Sequence, residues 1–156
     1  MKIEIGMQAP AFTLFDSEKN KVSLSDFAGH KVVLLFFPQA FTGVCTKELC
    51  AVRDNIGLYE QVDAKVVGIS VDSVFTLAKF KEDQAYNFPL LSDFNKEVSK
   101  QYDSLYESFV FGMKGVSKRS AFVIDKDGIV RYAEVLENAG DIPGFDAIQA
   151  TLASLS

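Results

Sequence analysis

Two cysteines close together, Cys45 and Cys50, are the residues of this 156-residue chain best suited to nucleophilic chemistry. The single histidine, His30, follows a glycine in a predicted loop, and nothing around it indicates a catalytic base. Structural zinc sites generally use four cysteine or histidine ligands, whereas this chain has two cysteines and one histidine. We therefore expect no metal and no cofactor, and we look for chemistry that a thiol performs by itself.

Cys45 lies just after a predicted strand-to-helix turn. The apolar run Val32 to Phe37 is typical of a strand covered on both faces. Pro38 ends that strand, and an apolar stripe predicts a helix over residues 44–62 with Cys45 in its first turn. A helix N-terminus stabilises an anion, and the anion available here is a thiolate. Taken alone, Cys45 is equally well explained as a core residue, and Thr42 as a helix cap.

The other predicted elements build a layered α/β architecture. Two alternating segments, 11–15 and 22–24, predict an N-terminal β-hairpin, and a second hairpin joins 120–125 to 129–134 through Asp127 and Gly128. Further strands are expected at 65–71 and 88–91, and further helices at 74–86, 96–102 and 145–155. This order resembles a thioredoxin-like fold, a central mixed sheet flanked by helices, with the N-terminal β-hairpin as an extension. We expect one domain over residues 1–156.

Composition excludes several classes of function. The net charge is −5 and the chain has no basic run, which is poorly suited to nucleic-acid binding. The apolar runs are too short to cross a bilayer, and the N-terminal residues lack the apolar stretch of a secretory signal. We therefore expect a cytoplasmic protein with no membrane or nucleic-acid partner, whose cysteines are reduced unless they act in redox chemistry.

Three residues at the strand-to-helix turn form a specific motif. The pattern Pro38-x-x-x-Thr42-x-x-Cys45 resembles the active-site motif of the peroxiredoxins, the cysteine-dependent peroxidases. The likeness extends over essentially the whole chain. Residues 37–45 and 88–94 are most similar to the alkyl hydroperoxide reductase E group, whereas the spacing of the two cysteines resembles the bacterioferritin comigratory (Q-type) group. Further matching positions are Gly6, Ala9, Pro10, Phe12, Leu14, Val22, Leu24, Phe27, Arg53, Asp54, Arg119 and the segment 121–125.

The resemblance implies a role for each matching residue. Cys45 would attack hydrogen peroxide or an organic hydroperoxide and become a sulfenic acid. Thr42 would hydrogen-bond the peroxide, Pro38 would shield the thiolate, and Arg119 would hold both thiolate and peroxide. Glu48, one turn after Cys45, would orient an arginine. Without the resemblance, Arg119 would be interpreted as a solvated surface charge.

The resemblance to the Q-type group implies that Cys50 resolves the sulfenic acid as an intramolecular disulfide. A thiol reductant such as thioredoxin or glutaredoxin would then recycle the enzyme. In an intact helix the Cα atoms of Cys45 and Cys50 would lie about 8.7 Å apart, beyond the roughly 7 Å that a disulfide tolerates. Oxidation is therefore predicted to unwind the helix partly.

Several alternatives stay open at this point. A one-cysteine cycle with an external thiol needs no Cys50, and a redox-sensing domain needs no turnover. A thiol–disulfide oxidoreductase is disfavoured because the chain has no Cys-x-x-Cys. A homodimer is possible, and the apolar segment Leu105 to Met113 would line the pocket, cover a dimer contact or pack in the core.

Overall fold

Seven strands form one mixed sheet in the computed structural model, which describes residues 2–155. The strand order is β2-β1-β5-β4-β3-β6-β7. The predicted domain range also includes Met1 and Ser156, which lie outside the described residues. The strands are β1 (Thr13–Asp16), β2 (Lys21–Ser23), β3 (Lys31–Phe36), β4 (Ala64–Ser70), β5 (Leu90–Ser92), β6 (Ser120–Ile124) and β7 (Val130–Val135).

Five α-helices accompany the sheet in the described part of the chain. They are α1 (Gly43–Asp54), α2 (Ile56–Glu60), α3 (Val74–Gln84), α4 (Glu97–Gln101) and α5 (Phe145–Ser154). Short 3₁₀ turns lie at Leu24–Phe27 and Val110–Gly112. No helix of residues 2–155 combines the length and apolarity that crossing a bilayer requires. The predicted mixed sheet, its flanking helices and the N-terminal β1–β2 hairpin are confirmed.

Strand β3 occupies the centre of the hydrophobic core, and all six of its residues are buried. Val33, Leu35 and the following Phe37 face a cluster that includes residues of α1, α3 and α5. The alternate residues Val32 and Leu34 face a second cluster on the other side of the sheet. Because β3 is covered on both faces, its carboxyl end delivers Pro38 to a fixed place at the edge of the sheet.

The single helix predicted over residues 44–62 is wrong, because the structure divides it into α1 and α2. The break is at Asn55, whose backbone leaves the helical region with φ −117° and ψ 19°. Its side-chain amide donates to the carbonyl of Ala51 at 2.8 Å, a local hydrogen bond of the kind that lets asparagine compete with helix geometry. The apolar stripe survives the break, since Cys45, Leu49, Val52 and Tyr59 are all buried.

The second hairpin extends the sheet beyond β3, with β7 at the edge. Strand β6 lies between β3 and β7, antiparallel to both, and pairs Ser120 with Phe36. Since Arg119 directly precedes Ser120, this register brings Arg119 to the carboxyl end of β3. Strand β5 lies inside the sheet as well, because it pairs with both β1 and β4.

Candidate active site

The loop after β3 is tied to the ends of neighbouring strands. The N–H of Phe37 donates to the carbonyl of Ile69 at 3.0 Å, and the N–H of Ala40 donates to Oδ2 of Asp72 at 2.8 Å. The same Asp72 oxygen accepts the hydroxyl of Ser70 at 2.6 Å. Asp72 therefore connects the end of β4 to the loop that carries Pro38, which is buried.

Thr42 is the N-cap residue of α1, but its side chain does not cap the helix. Its hydroxyl donates to the carbonyl of Gln39 at 2.9 Å, while its own carbonyl accepts the N–H of Thr46 at 3.0 Å. The Thr42 side chain is exposed and lines the same pocket as Cys45. Its hydroxyl is thus free of a structural capping bond and accessible from the pocket.

Cys45, in the first turn of α1, lies against Arg119. The Cys45 side chain is fully buried, and its Sγ is 3.2 Å from Nη2 of Arg119, which donates to it. Arg119 is only 1% exposed, so the interpretation as a solvated surface charge is wrong. The guanidinium also donates to the carbonyl of Ala139, from Nη2 at 3.0 Å and from Nε at 3.3 Å. These bonds fix the cation beside the sulfur.

Glu48 completes a buried charged cluster. It lies one helical turn after Cys45, and its Oε1 accepts Nη1 of Arg119 at 2.7 Å. Burial raises the pKa of Glu48 to about 7, although the neighbouring Arg119 cation acts in the opposite direction. Burial also opposes the charge on Arg119, but Glu48 and Cys45 outweigh it and raise the pKa of the guanidinium. Oε2 of Glu48 has no hydrogen-bond partner among residues 2–155, which fits a carboxyl that keeps its proton readily.

The pocket in front of Cys45 has a volume of about 410 Å³. Its polar wall is formed by Thr42 and Arg119, and its outer wall is largely apolar, formed by Phe109, Val110, Phe111 and Met113. The segment Leu105 to Met113 thus lines the pocket with its last residues. Phe111 is 97% exposed at the rim and has a left-handed backbone, with φ 58°.

Cys50 lies on α1 outside this pocket, and both cysteines are free thiols. It is half-buried against the C-terminal end of α3, with Sγ 3.5 Å from Oε1 of Gln84. The continuous helix α1 carries both cysteines, as predicted for the reduced protein. His30 is exposed and pairs with Asp63 at 3.0 Å, away from both cysteines.

The structure brings five of the predicted residues together: Pro38, Thr42, Cys45, Glu48 and Arg119 all lie at the carboxyl end of β3. Sequence reasoning missed two partners, the carbonyl of Ala139 and the carboxylate of Asp72. A backbone carbonyl gives no sequence signal, and an aspartate just before a helix is most simply explained as a helix cap, a role that Ser73 fills for α3 instead of Asp72. No three His, Cys, Asp or Glu side chains converge as a metal site would require anywhere in residues 2–155.

The arrangement suits a nucleophilic sulfur. A cation donates to Sγ, the helix N-terminus adds partial positive charge, and the pocket admits a small electrophile from solvent. Donors beside the sulfur would also stabilise negative charge that develops on a departing oxygen.

Comparisons with known proteins support this interpretation. The sequence profile described as the AhpC/TSA family matches residues 5–133. A putative peroxiredoxin of Mycobacterium tuberculosis is 44% identical over 131 residues, 83% of each chain. Alkyl hydroperoxide reductase E of Mycobacterium bovis is 38% identical over 136 residues, 85% of this chain and 86% of that protein.

Solved structures agree with the predicted thioredoxin-like fold. Peroxidoxin BcpB of Mycobacterium tuberculosis superposes with a TM-score of 0.87 at 35% identity, covering 99% of both chains. Peroxiredoxin Q of Xanthomonas campestris superposes with a TM-score of 0.81 at 28% identity, covering 92% of this chain and 90% of that one.

Proposed function

The chain belongs to the AhpC/TSA family of peroxiredoxins and is a thiol-dependent peroxidase, and we propose that Cys45 is the cysteine that attacks the peroxide. The observation that carries this assignment is the 3.2 Å contact between Sγ of Cys45 and Nη2 of Arg119 at the base of an open pocket. A buried cation at hydrogen-bond distance stabilises the thiolate, which is the nucleophilic form of cysteine.

In the first step the thiolate of Cys45 attacks one oxygen of the peroxide. The S–O bond forms as the O–O bond breaks, and the departing oxygen takes a proton and leaves as water or an alcohol. Arg119 stabilises the negative charge that passes from sulfur to the departing oxygen. Thr42 would exchange its bond to the Gln39 carbonyl for one to the peroxide, and the buried Pro38 limits access of water to the sulfur.

In the second step we assign Cys50 as the resolving cysteine. Its thiol attacks the sulfenic sulfur of Cys45, the S–S bond forms, and the sulfenic oxygen leaves as water. A thiol reductant, thioredoxin or glutaredoxin by chemical class, then restores both thiols. This assignment is supported by a free, half-buried thiol on the same helix as Cys45.

The substrate class includes hydrogen peroxide and organic hydroperoxides. A pocket of about 410 Å³ is larger than hydrogen peroxide needs, and its apolar wall of Phe109, Val110 and Met113 suits an alkyl group. Burial of such a group against apolar side chains is favourable.

We also propose that the protein works in the cytoplasm, without nucleic-acid or membrane partners, as a homodimer. The two free cysteines suit a reducing compartment, and the net charge of −5 disfavours nucleic acid. The exposed apolar side chains Phe41, Val110 and Phe111 are the surface that a second copy would cover. Sedimentation equilibrium tests the dimer, and a monomer at micromolar concentration would contradict it.

A coupled assay of peroxide consumption with dithiothreitol tests the function and the roles of the cysteines. We expect Cys45→Ser to abolish peroxide consumption. We expect Cys50→Ser to keep the first step, in which one peroxide molecule oxidises Cys45. A one-cysteine cycle is indicated if Cys50→Ser turns over as fast as the unmodified protein with every thiol reductant. A redox-sensing domain is indicated if Cys45 is oxidised once and no turnover follows.

A further inference from the structure

The C-terminal residue of α3 and the segment that follows it contact the half of α1 that carries Cys50. Oε1 of Gln84 lies 3.5 Å from Sγ of Cys50, and the Tyr86 hydroxyl oxygen lies 3.8 Å from the same sulfur. The Tyr86 hydroxyl also donates to the carbonyl of Thr46 at 3.5 Å. We call Gln84 and Tyr86 the clasp.

Two hydrogen bonds from side chains to backbone carbonyls hold the clasp against α1. Nη1 of Arg53 donates to the carbonyl of Gln84 at 2.6 Å, and Nδ2 of Asn87 donates to the carbonyl of Arg53 at 3.2 Å. Arg53 lies one turn after Cys50 on the helix. The segment 84–87 therefore connects to two successive turns of α1, and the clasp acts on the first of them.

Tyr86 is itself held in place. It is buried, and its ring packs against Phe80 and Phe88 with centroid distances of 5.1 Å and 5.5 Å. Burial raises the pKa of Tyr86, so its hydroxyl stays neutral and available as a donor. When α1 changes shape, Tyr86 cannot follow, and its contacts with Thr46 and Cys50 are lost.

Those contacts belong to the turn that must open before Cys50 can reach Cys45. In an ideal helix their Cα atoms lie about 8.7 Å apart, and a disulfide tolerates roughly 7 Å. Opening residues 46–50 breaks the Tyr86 contacts at both ends of the turn and the Gln84 contact with Cys50. The clasp contacts thus stabilise the closed helix. They are lost in the state that forms the disulfide and do not stabilise it.

We propose that Gln84 and Tyr86 are positioning residues that hold Cys50 on its helical turn and so set how fast the oxidised Cys45 is resolved. The proposal rests on the proposed role of Cys50. Slow resolution leaves the sulfenic acid of Cys45 open to a second peroxide molecule, which transfers one oxygen, yields the sulfinic acid and leaves as water or an alcohol. The clasp therefore controls the division between disulfide and over-oxidised enzyme.

The test follows Tyr86→Phe, which removes the hydroxyl and keeps the ring packing. Rapid quenching and mass spectrometry after one equivalent of hydrogen peroxide give the rate at which the one-oxygen adduct loses water to become the disulfide. Loss of a hydrogen bond of ordinary strength predicts about a 2- to 12-fold faster resolution. With excess peroxide, the share of the two-oxygen adduct should fall. The rate of the first peroxide reaction should not change.

A second variant and a matched control keep the result specific. Gln84→Met removes the acceptor at Cys50 and should also accelerate resolution. Tyr102→Phe removes a hydroxyl that donates to Pro10 at 2.7 Å on the other face of the sheet, and it should leave resolution unchanged. Acceleration by Tyr102→Phe equal to that by Tyr86→Phe would overturn the clasp, because it would show general destabilisation.

The proposal and its premise fail in different ways. If the unmodified protein keeps a stable one-oxygen adduct and forms no disulfide, Cys50 is not the resolving cysteine and the clasp has no role. If the disulfide forms but both clasp variants form it at the unmodified rate, Cys50 keeps its role and the clasp alone is refuted.

Discussion

Arg119 donates hydrogen bonds to two acidic groups at once, because its planar guanidinium carries donors that point in different directions. Nη1 donates to Glu48 and Nη2 donates to Cys45, while the Ala139 carbonyl accepts from the remaining side of the guanidinium. A lysine presents a compact point charge and cannot hold this geometry. We therefore expect the site to depend on the fork of donors as well as on the positive charge.

Replacement of Arg119 by lysine is accordingly expected to slow the reaction of Cys45 with peroxide. Loss of one charge-assisted hydrogen bond, about 1.5–3 kcal/mol, corresponds to a roughly 10- to 150-fold lower rate constant. Stopped-flow measurement of the first oxidation gives this constant directly. The matched control is Lys118→Arg, next to it in the chain, whose side chain pairs with the exposed Glu137 and should keep the unmodified rate. An unchanged rate in Arg119→Lys would contradict the assignment.

Glu48 is expected to make stability depend on pH. Its pKa is raised to about 7 in the folded chain from an ordinary value of 4.5, so the folded chain keeps a proton that the unfolded chain has already released. The free energy of unfolding should then fall as pH rises from the ordinary value through 7. Urea denaturation at a series of pH values measures this, and Glu48→Gln should show a shallower decline.

The control for Glu48→Gln is Glu137→Gln, at a glutamate whose side chain is 78% exposed. Its stability should follow the pH dependence of the unmodified protein. Identical pH curves for Glu48→Gln and the unmodified protein would show that Glu48 does not titrate in this range.

The local spacing of residues in the sequence predicted one part of the site, but it could not predict the residues that come from distant parts of the chain. Pro38, Thr42 and Cys45 lie within eight residues of one another, and strand-to-helix geometry alone places them together. Arg119 is 74 residues from Cys45 and joins it only through the pairing of β6 with β3. No periodicity near Arg119 signals this pairing, so the family resemblance supplied what the sequence pattern did not.

At the scale of the elements, the neighbours of β4 approach Gly68 too closely to leave room for a side chain there. A Cβ added to Gly68 would meet Cδ2 of Leu90 at 2.8 Å and Cε1 of Phe37 at 3.3 Å. Both side chains are fully buried in the core, where packing is close. Phe37 directly precedes Pro38, so a displacement of the Phe37 ring would also shift the loop that leads to Cys45.

Gly68→Ala is therefore expected to lower the free energy of unfolding by about 1–3 kcal/mol, the usual cost of overpacking a core. Urea denaturation measures the change. Gly57→Ala in α2 is the matched control, because a Cβ there meets no atom within 4 Å. That control should gain about 0.5–1 kcal/mol from the better helix propensity of alanine. Equal stability of Gly68→Ala and the unmodified protein would show that the core relaxes freely.

Element boundaries show why the patterns succeeded for strands and failed for one helix. The burial of β3 on both faces follows from its apolar run, and the structure confirms it. The break at Asn55 has no counterpart in the apolar stripe, because Cys45, Leu49, Val52 and Tyr59 stay on the core side in both helices. The periodicity of apolar residues predicts which face of a helix is buried. It does not predict that a single residue leaves the helical conformation.

Across the whole molecule, the residues proposed to act in catalysis are divided between the central sheet and helix α1, which is expected to open. Strands β3, β4 and β6 form the centre of the sheet and carry Pro38 and Arg119 at their ends. Helix α1 carries Cys45 and Cys50 and packs on the sheet through its apolar stripe. Within residues 2–155, no strand pair of the sheet includes a residue of α1, so we expect α1 to open on oxidation without disrupting the sheet.

Hydrogen exchange on the reduced and oxidised proteins is expected to show this division. Amides of residues 45–53 should lose protection on oxidation, because disulfide formation requires the turn between the cysteines to open. The amides of Ala85 and Tyr86 should keep their protection, since they donate to the carbonyls of Glu82 and Lys81 and not to α1. Amides of β3, β4 and β6 should keep their protection. Equal protection of residues 45–53 in both states, with the disulfide verified by mass, would refute the opening of α1 and require another way for Cys50 to reach Cys45.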